Sequence, residues 1–164
     1  MAYLGASGHT RMTAPINLSR KKFSRNPRLR WDGLNEFLAF ADLIKLSLVQ
    51  RVAYLAYWYS SQIEMGGHHD YFSTPPKCDF SEVVAALRAV GAIEQASILT
   101  AALDAVQAAS ARAPAEYANR FVAGVEFADL IEFDEAFERC TRSVRQCLMD
   151  YLDKHESEFI EWKP

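Results

Sequence analysis

A chain of 164 residues, half of them hydrophobic, suits one globular domain large enough to bury a core. No run approaches the roughly 18 consecutive apolar residues of a membrane helix, and Met1–Gly8 lacks the charged and apolar regions of a secretory signal; a soluble, cytoplasmic protein is expected. The net charge of −3 hides a segregation, because residues 1–30 carry seven bases and no acid, leaving 11 bases against 21 acids, a net of −10, in the rest.

Residues 1–30 are rich in Ser, Arg, Asn, Gly and Pro and show no apolar periodicity. Such a composition buries too little surface to offset ordering entropy, so a mobile or loosely docked basic arm is expected, ahead of a body over 31–164. From Asp32, an apt N-cap, Leu34, Phe37, Leu38 and Ala41 recur at helical spacing. Ser47 caps a second helix to about Met65, apolar on so many sides that it should cross the core. Gly66 and Gly67 end it.

After Ser73-Thr74-Pro75-Pro76, Asp79 and Glu82 have capping-box spacing for a third helix closed by Gly91. An alanine-rich fourth follows through so short a link that the two must be neighbours. Pro114 suits the first turn of a short helix to about Phe121. Further helices are predicted near Asp134–Cys140 and over Ser143–His155, with Phe159, Ile160 and Trp162 docking back on the body. No strand pattern of convincing length is present. The prediction is an all-α, single-domain bundle of about six to eight helices.

Three cysteines are read as reduced thiols. Cys140 and Cys147, if on one helix, would lie about 10.5 Å apart, beyond disulfide reach, and Cys78 has no CxxC partner. No Walker loop, GxGxxG, GxSxG or EF-hand pattern occurs, so no cofactor is expected.

Two stretches carry candidate chemistry. The first is Gly66-Gly67-His68-His69-Asp70-Tyr71-Phe72 with Glu64 nearby. Glu64, His68, His69 and Asp70 are weak metal-ligand or acid/base candidates, because adjacent histidines point about 100° apart on a helix and the glycines interrupt the i, i+4 pair Glu64–His68. A structural role is the plainer reading, as a core role is for Tyr54, Tyr57, Trp58, Tyr59, Tyr71 and Phe72. The second is the run Glu126, Asp129, Glu132, Asp134, Glu135 and Glu138, six acids with no base between Arg120 and Arg139. An ordinary solvated face explains it, and so does a surface imitating a phosphate backbone, which spaces one charge every ~1.7 Å of duplex axis.

The segment Gln62-Ile63-Glu64-Met65-Gly66-Gly67-His68-His69-Asp70-Tyr71-Phe72 resembles the Glu-Val-x-Asn-Gly-Gly-Phe-x-Gln-Tyr-Phe helix end of a bacterial family. Val49–Tyr54, Val84–Ala92, Phe133–Phe137 and Leu148–Leu152 are similar to its other helices. It is the DNA-mimic-protein-like domain family, named after a dimeric acidic member that occupies a transcription factor's DNA-binding surface. The resemblance covers roughly 33–160, rests most on Gly-Gly-x-x-x-Tyr-Phe, and implies an all-α body. Met65, His68 and Asp70 stand where the family carries Asn, Phe and Gln.

The resulting expectation is a non-enzymatic acidic interaction protein binding a basic, nucleic-acid-binding partner, with no catalytic residue, DNA mimicry and a homodimer being its extensions. The alternatives are a metal-dependent or acid/base enzyme at Glu64, His68, His69 and Asp70, and nucleic-acid binding through the basic arm.

Overall fold

The computed structural model describes residues 16–164 and is all-α but for one small strand pair. In chain order it runs β1 (Ile16–Ser19), α1 (Arg20–Arg25), α2 (Leu29–Ala39), α3 (Leu48–Ser73), α4 (Phe80–Val90), α5 (Ile93–Arg112), α6 (Arg120–Phe127), α7 (Ile131–Glu138), α8 (Val144–Lys154), α9 (Glu156–Phe159) and β2 (Ile160–Lys163). Seven helices, α2 to α8, have eight residues or more, and a short 3-10 turn at Leu43–Lys45 precedes α3.

The long helix α3 is the axis, packing against α2, α4, α6, α7, α8 and α9. It starts on a capping box: Ser47 Oγ accepts the Gln50 N–H at 3.2 Å while the Ser47 N–H donates to Gln50 Oε1 at 3.1 Å. Gln50, itself buried, also donates from Nε2 to the Glu158 carbonyl at 2.6 Å, tying this end to the C-terminal segment. Ala53, Leu55, Ala56, Tyr59, Ile63, Tyr71 and Phe72 are buried along it, and Tyr54, Tyr57 and Trp58 pack on the core edge. Helix α8 starts on a second capping box, Ser143 with Gln146, and buries Val144, Cys147, Leu148, Tyr151 and Leu152. Between α5 and α6 the backbones approach so closely that a Cβ on Gly124 would strike the Val106 carbonyl and the Ser110 side chain.

Several boundaries differ from the sequence expectation. Of the arm expected over 1–30, residues 1–15 lie outside the described residues, and 16–30 are folded. Here β1 runs parallel to β2, Ile16 opposite Ile160 and Leu18 opposite Trp162, and Ile16 is buried. Phe23 meets Trp162 at 5.3 Å between ring centroids, and Arg30 pairs with Asp153 at 2.5 Å and Glu156 at 3.3 Å. Two four-residue strands carry too little alternation to be legible, and each forms because the other, some 140 residues away, completes its hydrogen bonds.

Helix α2 starts at Leu29, with Asp32 in its first turn, not at the cap. The Asp79 side chain makes no cap bond; Glu82 turns instead to Arg51 at 2.6 Å. The segment after Pro114 is not helical, since Arg120 reaches back to the Ala113 and Pro114 carbonyls at 3.0 Å and to the Ser110 carbonyl. Asn119 caps α6 there, accepting from the Phe121 and Val122 N–H groups. Cys140 lies in the α7–α8 connection and Cys147 within α8; both are free, as is Cys78, and burial raises the pKa of all three thiols.

Candidate functional site

The double glycine does not end α3; it bends it. Gly67 has φ 70° and ψ −172°, a backbone region open essentially to glycine alone, and the helix resumes at His68 and runs to Ser73. The break turns the His68 N–H out of the helical ladder, and a carboxylate from α7 takes it. Asp134 Oδ1 accepts that N–H at 2.8 Å and contacts His68 Nδ1 at 2.6 Å. On the other side of the ring, His68 Nε2 lies 2.9 Å from the Tyr59 hydroxyl. A Cβ on Gly67 would stand 2.5 Å from Asp134 Oδ2, so α7 can close on the joint only where that side chain is missing.

The protonation pattern follows from the partners. A carboxylate accepts only, so the proton on the neutral ring sits on Nδ1 and points at Asp134, and Nε2 accepts from Tyr59. Burial lowers the His68 pKa, and the hydrogen bond and charge of Asp134 oppose that shift. Burial also raises the Tyr59 pKa well above its usual value. Carboxylate, imidazole and hydroxyl stand in the order of a general-base relay. Yet His68 and Tyr59 are fully buried, and the Tyr59 ring packs edge-on against Tyr71 and Phe137. The group clamps α7 to the bend in α3.

The other candidates of this stretch are not gathered around His68. Glu64 is exposed and accepts from Ser60 Oγ at 2.8 Å. His69 and Asp70 are exposed, with His69 Nδ1 3.6 Å from Asp70 Oδ1. Among the described residues, no group of three or more His, Cys, Asp or Glu is placed to hold a metal ion. Tyr71, by contrast, buries its hydroxyl without a hydrogen-bond partner, and burial raises its pKa.

The acidic run is carried by α6, α7 and the turn between them. Glu126, Asp129, Glu132, Glu135 and Glu138 are exposed, while Asp134 points back to His68. Of the five exposed acids, Glu135 has an ion pair among the described residues, to Arg139 at 3.4 Å. Glu126 lies beside the Tyr117 hydroxyl and raises its pKa. The folded part of the basic segment does not cover this face, its ion pairs running to Asp153 and Glu156 instead. Next to the joint, Glu64, Asp134 and Glu138 also line a recess of about 370 Å³ together with Ile63, Gln95, Phe137, Cys140, Ser143 and Val144.

A family described as DMP19-like protein matches residues 44–155, more than half of the chain. The chain belongs to the DMP19-like protein family. The matched span holds both the His68 joint and the exposed acids of α6 and α7 in this DMP19-like protein, and leaves out β1, α1, α2, α9 and β2. No curated protein and no solved structure matches the chain. No helix among the described residues is long and apolar enough to cross a membrane.

Sequence reasoning missed the Tyr59 hydroxyl and the partnership of Asp134. Tyr59 reads as one core aromatic among several, and Asp134 as one acid among six. The signal that was present is His68, a polar side chain in a stretch rich in core aromatics; a buried polar group implies a partner.

Proposed function

We propose that this DMP19-like protein is a non-enzymatic interaction protein whose α6–α7 face binds a basic, nucleic-acid-binding protein in place of nucleic acid. The observation that carries this is the row Glu126, Asp129, Glu132, Glu135 and Glu138, exposed, with one ion pair among the five, on a framework pinned to the core by Asp134. Membership of the family supports a DNA-mimic role. Carboxylates left unpaired at a surface attract a cationic partner over about one Debye length, ~8 Å at physiological salt. Retention of a partner from native lysate on immobilised protein should therefore fall steeply with added salt. It should be lost when the five acids become Gln or Asn, with the helical spectrum unchanged. Retention indifferent to salt and to neutralisation contradicts the proposal.

A homodimer belongs to the same proposal, supported by Phe40, Ile44 and Leu48, which leave 86%, 86% and 84% of their surface exposed. Charged substitutions there should shift the mass measured by light scattering toward the monomer; an unchanged mass removes the dimer. A second reading rests on Arg20, Lys21, Lys22, Arg25 and Arg28, all exposed and without an acid among residues 16–30. These bases suit direct contact with nucleic acid. Changing them to Gln tests it better than truncation, which would also remove the β1 strand under β2; a DNA shift that survives the change argues against it.

A further inference from the structure

The recess beside the joint is built almost wholly of acceptors. Gln95 is 2% exposed and lines it; its Nε2 donates to the Arg142 carbonyl at 2.5 Å, which fixes the amide's orientation. That leaves Gln95 Oε1 without a hydrogen-bond partner among the described residues. Glu64 uses one oxygen on Ser60, Asp134 uses Oδ1 on His68, and Glu138 makes no bond among the described residues, so each of the three keeps a carboxylate oxygen to offer. Local donors are spent or turned away. The Ser143 hydroxyl and N–H both engage Gln146, Arg142 pairs with Asp150 at 2.6 Å, and Arg139 pairs with Glu135. Phe137 and Val144 supply apolar wall.

The unpartnered amide oxygen of a mostly buried side chain and three carboxylates with no free donor among them suit a ligand that only donates. Guanidinium and ammonium are the permanently charged side-chain groups of that kind, and their charge matches the carboxylates. Guanidinium fits better, because its planar fork presents five N–H donors and it lies well against an aromatic ring such as Phe137. At about 370 Å³ the recess is near the small end of ligand-sized clefts, roughly 300–1,000 Å³, which suits one side chain and not a polymer.

We propose that this recess seats a single arginine side chain of the basic partner, its guanidinium held by Gln95 Oε1 and the carboxylates of Glu64, Asp134 and Glu138. The inference rests on the reading of the acidic face as a protein-binding surface and adds the element it recognises. The face attracts by charge over a distance; the recess reads one residue at contact.

The test is an NMR titration of the full chain with N-acetyl-arginine amide and, in parallel, the uncharged isostere N-acetyl-citrulline amide. The arginine compound should give saturable shifts centred on the Gln95 side-chain amide, with citrulline weaker by at least about tenfold. The exposed-site double variant Glu64→Gln/Glu138→Gln should weaken arginine by about the same factor, whereas Glu126→Gln/Asp129→Asn should leave it unchanged. Equal shifts from both compounds, or shifts that spread along α6 and α7 without saturating, overturn the seat. Poly-L-arginine separates the two layers. If it is retained by wild type and by the recess double variant alike, but lost on neutralising Glu126, Asp129, Glu132 and Glu135, the seat is overturned and the acidic-face reading stands. If neither change reduces its retention, the reading beneath the seat is overturned as well.

Discussion

Two groups of polar side chains less than one helix apart have opposite treatments in this fold. At the joint, His68 is fully buried and each of its donors and acceptors has a partner, from Asp134 on one side and Tyr59 on the other. Along α6 and α7, five acids of the same run are exposed, and one of them is in an ion pair. A buried polar group must be satisfied within the chain or it costs stability; an exposed one can stay open at little cost and be satisfied by something else. The joint is therefore where the protein holds itself together, and the face is where it has capacity left for another molecule. Asp134 belongs to both, standing in the row by sequence and in the joint by geometry.

The contrast breaks first at Gly67. Gly67→Ala forces a side chain into a glycine-only backbone region and against Asp134, and should cost about 3 kcal/mol or more, seen as a lower midpoint in urea. A loss below about 1 kcal/mol would mean that the bend is not under constraint. Asp134→Ala should come next at about 2–3 kcal/mol, because it strips the carboxylate from two donors of a buried residue. Neutralising Glu132 or Glu138 beside it should stay within about 0.5 kcal/mol, as expected at open surface. A comparable cost at all three positions would erase the distinction between joint and face.

A pH profile sharpens the same point. His68 titrates lower in the fold than its ordinary value of 6.5, so the unfolded chain takes up the proton more readily. The stability tied to the neutral ring is thus complete above 6.5 and is lost as pH falls below it toward the folded-state value. Thermal melts of wild type should decline across that window more steeply than those of His68→Phe; parallel profiles would place the proton elsewhere. Two tyrosines separate within the core itself. Tyr59→Phe removes the partner of His68 Nε2 and should cost about 1–2 kcal/mol, whereas Tyr71→Phe removes a buried hydroxyl that bonds nothing and should be neutral or slightly stabilising. Equal melting temperatures for the two variants would remove the clamp from the account.

The local parts of this design are legible in the sequence, and the distant ones are not. Ser47 announces α3 as a local cap, and the apolar girth of α3 marks it as the core helix. Gly66-Gly67 marks an interruption, but whether the chain stops or bends there depends on an acid 66 residues after His68, which no window of sequence contains. Asp79 misleads because Glu82 has a better partner in Arg51, and Pro114 because Arg120 claims the carbonyls around it. The pairing of β1 with β2 joins the two ends of the described chain and leaves no periodic trace in either. At the site, the acidic row can be read directly and its exposure follows; the removal of Asp134 from it, and the recess it helps to line, need the packing of α7 against α3.

The central claim is that the face stands in for nucleic acid, and competition tests it most directly. Protein captured from native lysate on the immobilised chain is challenged with duplex DNA, beside a bait in which Glu126, Asp129, Glu132, Glu135 and Glu138 are Gln or Asn. The account predicts a nucleic-acid-binding protein that the duplex displaces and that the neutralised bait does not hold. A partner that stays bound in excess duplex, or that both baits retain equally, would contradict it.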